Sequence, residues 1–205
     1  MHFLRSVRPE WAVRWLLTAC FLSFCLLGRA QGAAEIVSFE LERSSEELSF
    51  SAQLQFELSA TVEEALLKGI PMVFVAETEL LRERWYWYDK SVASSARHFR
   101  LAFQPLTRRW RLNISSGAAS AAGQGLALNQ SFDTLQQALV TIKRISRWRV
   151  AGANELDPAV RHRFEFRFRL DLGQLPRPFQ IGAIGQSEWD ISVVRSELLP
   201  PEVVK

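Results

Sequence analysis

Eleven consecutive positions set the tone of the chain. Leu48, Phe50, Ala52, Leu54, Phe56 and Leu58 alternate with Ser49, Ser51, Gln53, Gln55 and Glu57. Side chains of an extended chain point to opposite faces in turn, so this period of two predicts a strand with one buried face. A second alternation is sharper still. Phe164, Phe166, Phe168, Leu170 and Leu172 interleave with Arg163, Glu165, Arg167, Arg169 and Asp171, predicting a strand over residues 162–172.

Weaker extended patterns fill the rest. Residues 36–41 read as a short strand that pairs with 48–58 in an opening hairpin, with Arg43-Ser44-Ser45-Glu46 as its turn. Residues 72–88 form a long extended candidate ending in Trp85-Tyr86-Trp87-Tyr88, followed by a polar loop over 89–96. Residues 97–104 and 110–114 flank the turn Pro105-Leu106-Thr107-Arg108 and read as another hairpin. A short strand is expected at 148–150, and a last one carrying Trp189, Ile191 and Val193, before a loose tail from Leu198.

Two helices interrupt the strands. Thr61-Val62-Glu63-Glu64 has the spacing of a capping box, with Thr61 as N-cap, and Gly69 and Pro71 end the helix after about two turns. A second helix follows Ser131 and Asp133, with Leu135, Leu139 and Ile142 on one stripe and Lys143, Arg144 and Arg147 near its C-terminus. Residues 115–129 are rich in Gly, Ala and Ser and read as a surface loop. Residues 175–184 read as a connection broken by Pro and Gly. The elements add up to a mainly β (α+β) domain, an antiparallel two-layer, β-sandwich-like arrangement with two short helices between strands.

The N-terminus departs from this pattern. Arg5, Arg8 and Arg14 precede an uncharged apolar run over residues 15–27, and small residues follow at Gly28, Ala30, Gly32, Ala33 and Ala34. This is the layout of a secretory signal peptide. Thirteen apolar residues span about 20 Å as a helix, short of the roughly 30 Å hydrocarbon core, which favours cleavage over a retained anchor. A lipoprotein is the third reading, from Leu17-Thr18-Ala19-Cys20, but the apolar run continues past Cys20. The expected organisation is a leader over 1–34, one domain over 35–199 and a tail over 200–205, with a periplasmic destination. Uncleaved, the leader would leave the chain anchored in the inner membrane.

Removing the leader changes the chemistry. It takes both cysteines, Cys20 and Cys25, so no disulfide framework, thiolate nucleophile or cysteine metal site remains. It also takes four arginines and Glu10 from the 25 basic and 22 acidic residues, leaving 21 of each. The basic character belongs to the leader, and a neutral domain offers no net positive footprint for nucleic acid. The 171 residues from Glu35 onward are enough for one ordinary hydrophobic core.

No motif carries catalysis, a metal or a cofactor. His98 and His162 lie on strands without a histidine partner at metal spacing, and are expected at the surface or at strand ends. Gly185-Gln186-Ser187 lacks the second glycine of a nucleophile elbow. Glu77, Glu79 and Glu83 are expected to pair across the sheet with Arg163, Arg167 or Arg169 rather than to bind an ion. The remaining candidates form a recognition surface, because Arg, Trp and Tyr dominate binding hot spots. They are Trp85, Trp87, Trp110, Arg163, Arg167 and Arg169, the tryptophans serving as anchors where exposed.

Several segments together resemble the DUF4390 family. They are Ser-Phe-Asp-Thr-Leu-Gln-Gln-Ala-Leu at 131–139, Trp-Arg-Val at 148–150, Arg-Phe-Glu-Phe-Arg-Phe-Arg-Leu-Asp-Leu-Gly-Gln-Leu-Pro-Arg-Pro-Phe-Gln at 163–180 and Ser-Glu-Trp at 187–189. The resemblance spans residues 35–196, and residues 116–125 look longer than the family pattern. It implies an exported proteobacterial protein with no assigned activity. It also suggests an envelope partner, a membrane sensor histidine kinase being the one its members are often encoded beside. The expectation is therefore a non-enzymatic protein-interaction or signalling-accessory module. The alternative is a carrier of a small apolar ligand or lipid lined by Phe164, Phe166 and Phe168; a hydrolase without a recognisable motif ranks last.

Overall fold

The computed structural model describes residues 34–84, 86, 88–117, 127–183 and 185–201. Nine strands and three short helices are present among them. In chain order these are β1 (Glu35–Arg43), β2 (Glu47–Gln55), α1 (Ala60–Leu67), β3 (Met72–Arg82), β4 (Lys90–Gln104) and β5 (Arg109–Gly117). There follow β6 (Ala127–Phe132), α2 (Leu135–Lys143), β7 (Arg144–Gly152), β8 (His162–Leu170), α3 (Arg177–Ala183) and β9 (Ser192–Leu199).

The strands form two sheets, ordered β1-β2-β7 and β6-β5-β4-β3-β8-β9, with every neighbouring pair antiparallel. Their inner faces close over one core, as an antiparallel sandwich requires. The two alternating runs of the sequence meet there. Phe50 of β2 lies 4.8 Å from Phe166 and 5.0 Å from Phe164 of β8, centroid to centroid. Phe56, just past β2, lies 5.4 Å from Phe168, which stacks on Phe74 of β3. All six of these rings are fully buried or nearly so. Tilted ring pairs at this spacing add about 0.5–1.5 kcal/mol each beyond the area they bury.

The helices sit where the strands leave the core. Ser59, not Thr61, caps α1, its hydroxyl accepting from the Val62 N–H at 3.3 Å. Thr61 donates instead to the Glu188 carboxylate, and Glu64 pairs with Lys68 at 3.3 Å. Gly69 ends the helix at φ 84°, a conformation that L side chains resist. Thr134, rather than Ser131 or Asp133, caps α2 by accepting from the Gln137 N–H.

Four boundaries differ from those the pattern predicts. The β3 strand ends at Arg82, and β4 begins at Lys90, so most of the expected polar loop is strand. The last three residues of the Gly/Ala/Ser stretch, 127–129, continue to Phe132 as the edge strand β6, paired with β5. Residues 177–183 form α3 because Pro178 falls in its first turn, where its missing N–H costs nothing. Finally, Trp189 and Ile191 belong to a buried turn ahead of β9, and the strand runs on to Leu199.

Candidate recognition face

One face of the six-stranded sheet points away from the shared core, although Val73, Val75 and Ala96 are buried on it, and its central strands carry charge. Register places Val75 opposite Arg169, Glu77 opposite Arg167, Glu79 opposite Glu165 and Leu81 opposite Arg163. These residues alternate with Phe74, Ala76, Thr78 and Leu80, which face the core, so the outward charges follow directly from the inward apolar period.

The charges pair in two separate clusters. Glu77 reaches Arg169 at 3.3 Å and Arg167 at 3.7 Å, and Arg169 also meets Asp171 at 3.6 Å. Arg163 bridges Glu83 at 2.9 Å and Asp89 at 3.2 Å. The Glu83 hydrogen bond, then the Asp89 charge, holds the Arg163 guanidinium above its ordinary proton affinity. The expected pairing is thus present for Glu77 and Glu83. Glu79 breaks it, because its cross-strand neighbour is Glu165. The two acids, with Glu77, Arg167, Ser94 and Val194, line a shallow dish of about 240 Å³.

Arg163 does more than neutralise acids. Glu83 directly follows β3 and Asp89 precedes β4, so the bridge ties both arms of one hairpin at its neck. Beyond that tie, Tyr86 is 70% and Tyr88 is 95% exposed. Neither tyrosine was among the expected anchors; their exposure follows from β3 stopping at Arg82. Trp85 and Trp87 lie outside the described residues.

Trp110 is a correction. It is 6% exposed, and its ring packs 4.9 Å from Phe103, so it belongs to the core and anchors nothing at the surface. Register explains this: Trp110 shares the inward face of β5 with Leu112. Trp148 and Trp189 are buried too, and Arg97 lies 4.5 Å over the Trp148 ring. Burial lowers the Arg97 proton affinity.

The histidines divide. His98 sits on the outer face between Val75 and Ser115. His162 is 2% exposed, and its Nε2 has no hydrogen-bond partner. Burial first, then the Arg82 and Arg43 charges, push its pKa down against the Val160 carbonyl and Asp157, which act upward. Its place at the start of β8 matches a strand-end histidine, but not a surface one. Among the described residues no group of three His, Cys, Asp or Glu side chains could hold a metal ion, and no helix is long and apolar enough to cross a membrane.

The molecule is thus an antiparallel β-sandwich of the α+β class with a charged outer sheet face beside an aromatic hairpin tip. A family model, the domain of unknown function DUF4390, matches residues 31–198, and the chain belongs to that family. No curated protein and no solved structure matches it.

Proposed function

We propose that the domain is an exported binding module that recognises an envelope protein through the outer face of its six-stranded sheet and the adjoining hairpin tip. One observation supports this most: Arg163 ties Glu83 to Asp89 at the neck of a hairpin with two exposed tyrosines, beside the arginines that Glu77 pairs. Tyr and Arg on a rigid support are the residues that bind at low entropic cost. The leader motivates the envelope setting, and a membrane sensor kinase is the partner class the family resemblance suggests.

The carrier reading is second. Phe164, Phe166 and Phe168 are engaged in ring contacts with Phe50, Phe56 and Phe74, so a ligand would have to part those rings. That cost favours the surface reading.

The test is a photo-crosslinking residue placed at Tyr88 or Val194 in the native host, with Leu67 on α1 as the control position. One envelope protein captured at Tyr88 and Val194 but not at Leu67, and lost in Arg167→Glu, supports the reading. Equal capture at all three positions defeats it. Export is checked separately by intact mass: a periplasmic species starting near Gln31 or Glu35 is expected, and a full-length mass in the membrane would mean a retained anchor.

A further inference from the structure

The outer face of the smaller sheet carries a different pattern, independent of the face discussed above. On β1, Ser38, Glu40 and Glu42 point outward; on β2, Ser49, Ser51 and Gln53; on β7, Arg144, Ser146, Arg147 and Arg149. The acids occupy one edge strand and the arginines the other, with a floor of uncharged polar residues between. The face is an open trough lined by Glu40, Glu42, Ser51, Gln53, Arg144 and Arg147.

Three features make this segregation more than composition. First, adjacent strands lie about 4.8 Å apart, so the acidic and basic rows are about 10 Å apart, and a pair across β2 within one molecule would need both side chains fully extended over it. Among the described residues Glu40, Glu42, Arg144 and Arg147 form no ion pair, whereas Arg149 meets Glu47 at 3.5 Å. Second, the basic row depends on a strained backbone. Ser146 and Arg147 together oppose Ser51, the mark of a bulge, and Arg147 has φ 38°. The bulge keeps Ile145 and Trp148 in the core while adding an arginine to the outer face, and the Arg147 N–H donates to Ser51 Oγ at 3.0 Å. A left-handed arginine costs about 1–3 kcal/mol, and the fold retains it.

The third feature is symmetry. Glu40 shares a row with Ser51 and Arg147, and Glu42 shares one with Ser49 and Arg149. A twofold axis parallel to β2, running between two facing troughs, carries β1 of one copy over β7 of the other without shifting rows. Glu40 then faces the other copy's Arg147, and Glu42 faces its Arg149, twice over. The alternative twofold, perpendicular to the strands, sets acid on acid and arginine on arginine. The face is therefore self-complementary in one orientation and self-repelling in the other, which is the requirement for an isologous contact.

We propose that this face is a weak, charge-directed homodimer interface, with a second copy of the chain as its occupant. Three strands of this length offer on the order of 400 Å² per copy, half the roughly 800 Å² of a stable complex. The contact is therefore transient, wet and sensitive to salt. It leaves the face of the six-stranded sheet free, so a dimer presents two copies of that face.

The test is sedimentation of protein purified from cells expressing the full chain, in about 20 mM and about 500 mM salt. The wild type is expected to dimerise at low salt and to dissociate at high salt. Glu40→Arg/Glu42→Arg and Arg147→Glu/Arg149→Glu are each expected to weaken the dimer at least about tenfold. Mixed in equal amounts, they restore opposite charges on both sides and are expected to form a heterodimer near wild-type affinity, which also shows that both variants are folded. A wild type that stays monomeric at low salt overturns the proposal. So does a dimer indifferent to both reversals, or a mixture that remains monomeric. Crosslinking at Tyr88 and Val194 is unaffected by these outcomes, so the two readings fail separately.

Discussion

Glu79 and Glu165 face each other across the β3–β8 pair, two acids where every other row of that face sets an arginine against an acid or an apolar residue. Like charges directly opposite destabilise a sheet, by about 0.2–1 kcal/mol. Glu79→Gln or Glu165→Gln is therefore expected to raise stability by that amount. Glu77→Gln should lower it, because Glu77 serves both Arg167 and Arg169. Urea denaturation of the three variants checks the opposite signs. A binding face that keeps a repelling pair gives up stability there, so the same glutamines are expected to weaken partner capture while stabilising the fold.

The Arg163 bridge makes a prediction about dynamics rather than stability. Its carboxylates are partly exposed, and pairs of that kind contribute little to global stability. Arg163→Ala should leave the melting transition nearly in place. It should, however, free the neck of the hairpin, so trypsin is expected to cut after Arg84 several-fold faster than in wild type. Unchanged cleavage would mean that the tip is held by something other than the bridge.

Period-two segments were readable in the sequence because burial on one face acts on every second residue without reference to the rest of the chain. Residues 48–58 and 162–172 predict the two strands whose phenylalanines interlock, together with the outward Arg163, Arg167 and Arg169. The fate of Trp110 was not readable, because which face of β5 is buried depends on its register with β4 and β6. The Glu79–Glu165 opposition was hidden for the same reason: it is a property of two strands in register, not of either strand. The helix caps were misplaced by two residues at α1 and by one or more at α2, since Ser, Thr and Asp compete locally for the same orphan N–H groups. The β6 strand begins at the end of a stretch whose Gly, Ala and Ser content suits loops and edges alike.

The aromatic residues separate cleanly by role. Phe50 touches Phe39, Phe164 and Phe166, and no part of it reaches solvent. Phe50→Ala leaves a cavity at the junction of the sheets and is expected to cost about 3–5 kcal/mol. Tyr88→Ala removes a side chain already in water and should change stability by less than about 0.5 kcal/mol. Paired denaturation curves read the contrast directly. A Tyr88 variant that is stable yet loses crosslinking to its partner would assign the tyrosine to binding rather than to folding.

His162 gives the fold a pH dependence whose sign follows from its surroundings. Burial, Arg82 from β3 and Arg43 from β1 all oppose its protonation, while the Val160 carbonyl and Asp157, which Arg82 engages at 3.1 Å, favour it. Burial dominates, so the folded-state pKa lies below the unfolded value of about 6.5. Above that value both states are neutral at this position, and His162 adds no pH dependence. As pH falls through about 6.5, the unfolded chain takes up a proton that the folded chain refuses, so stability falls, by at most about 1.4 kcal/mol per pH unit. Urea denaturation at about pH 7.5 and about pH 5.5 should show the loss, and His162→Leu, which fills the site without a titrating group, should remove this part of it. If the wild type and the variant lose stability in parallel over that range, the dependence belongs to other groups and His162 is protonated as readily in the fold as outside it.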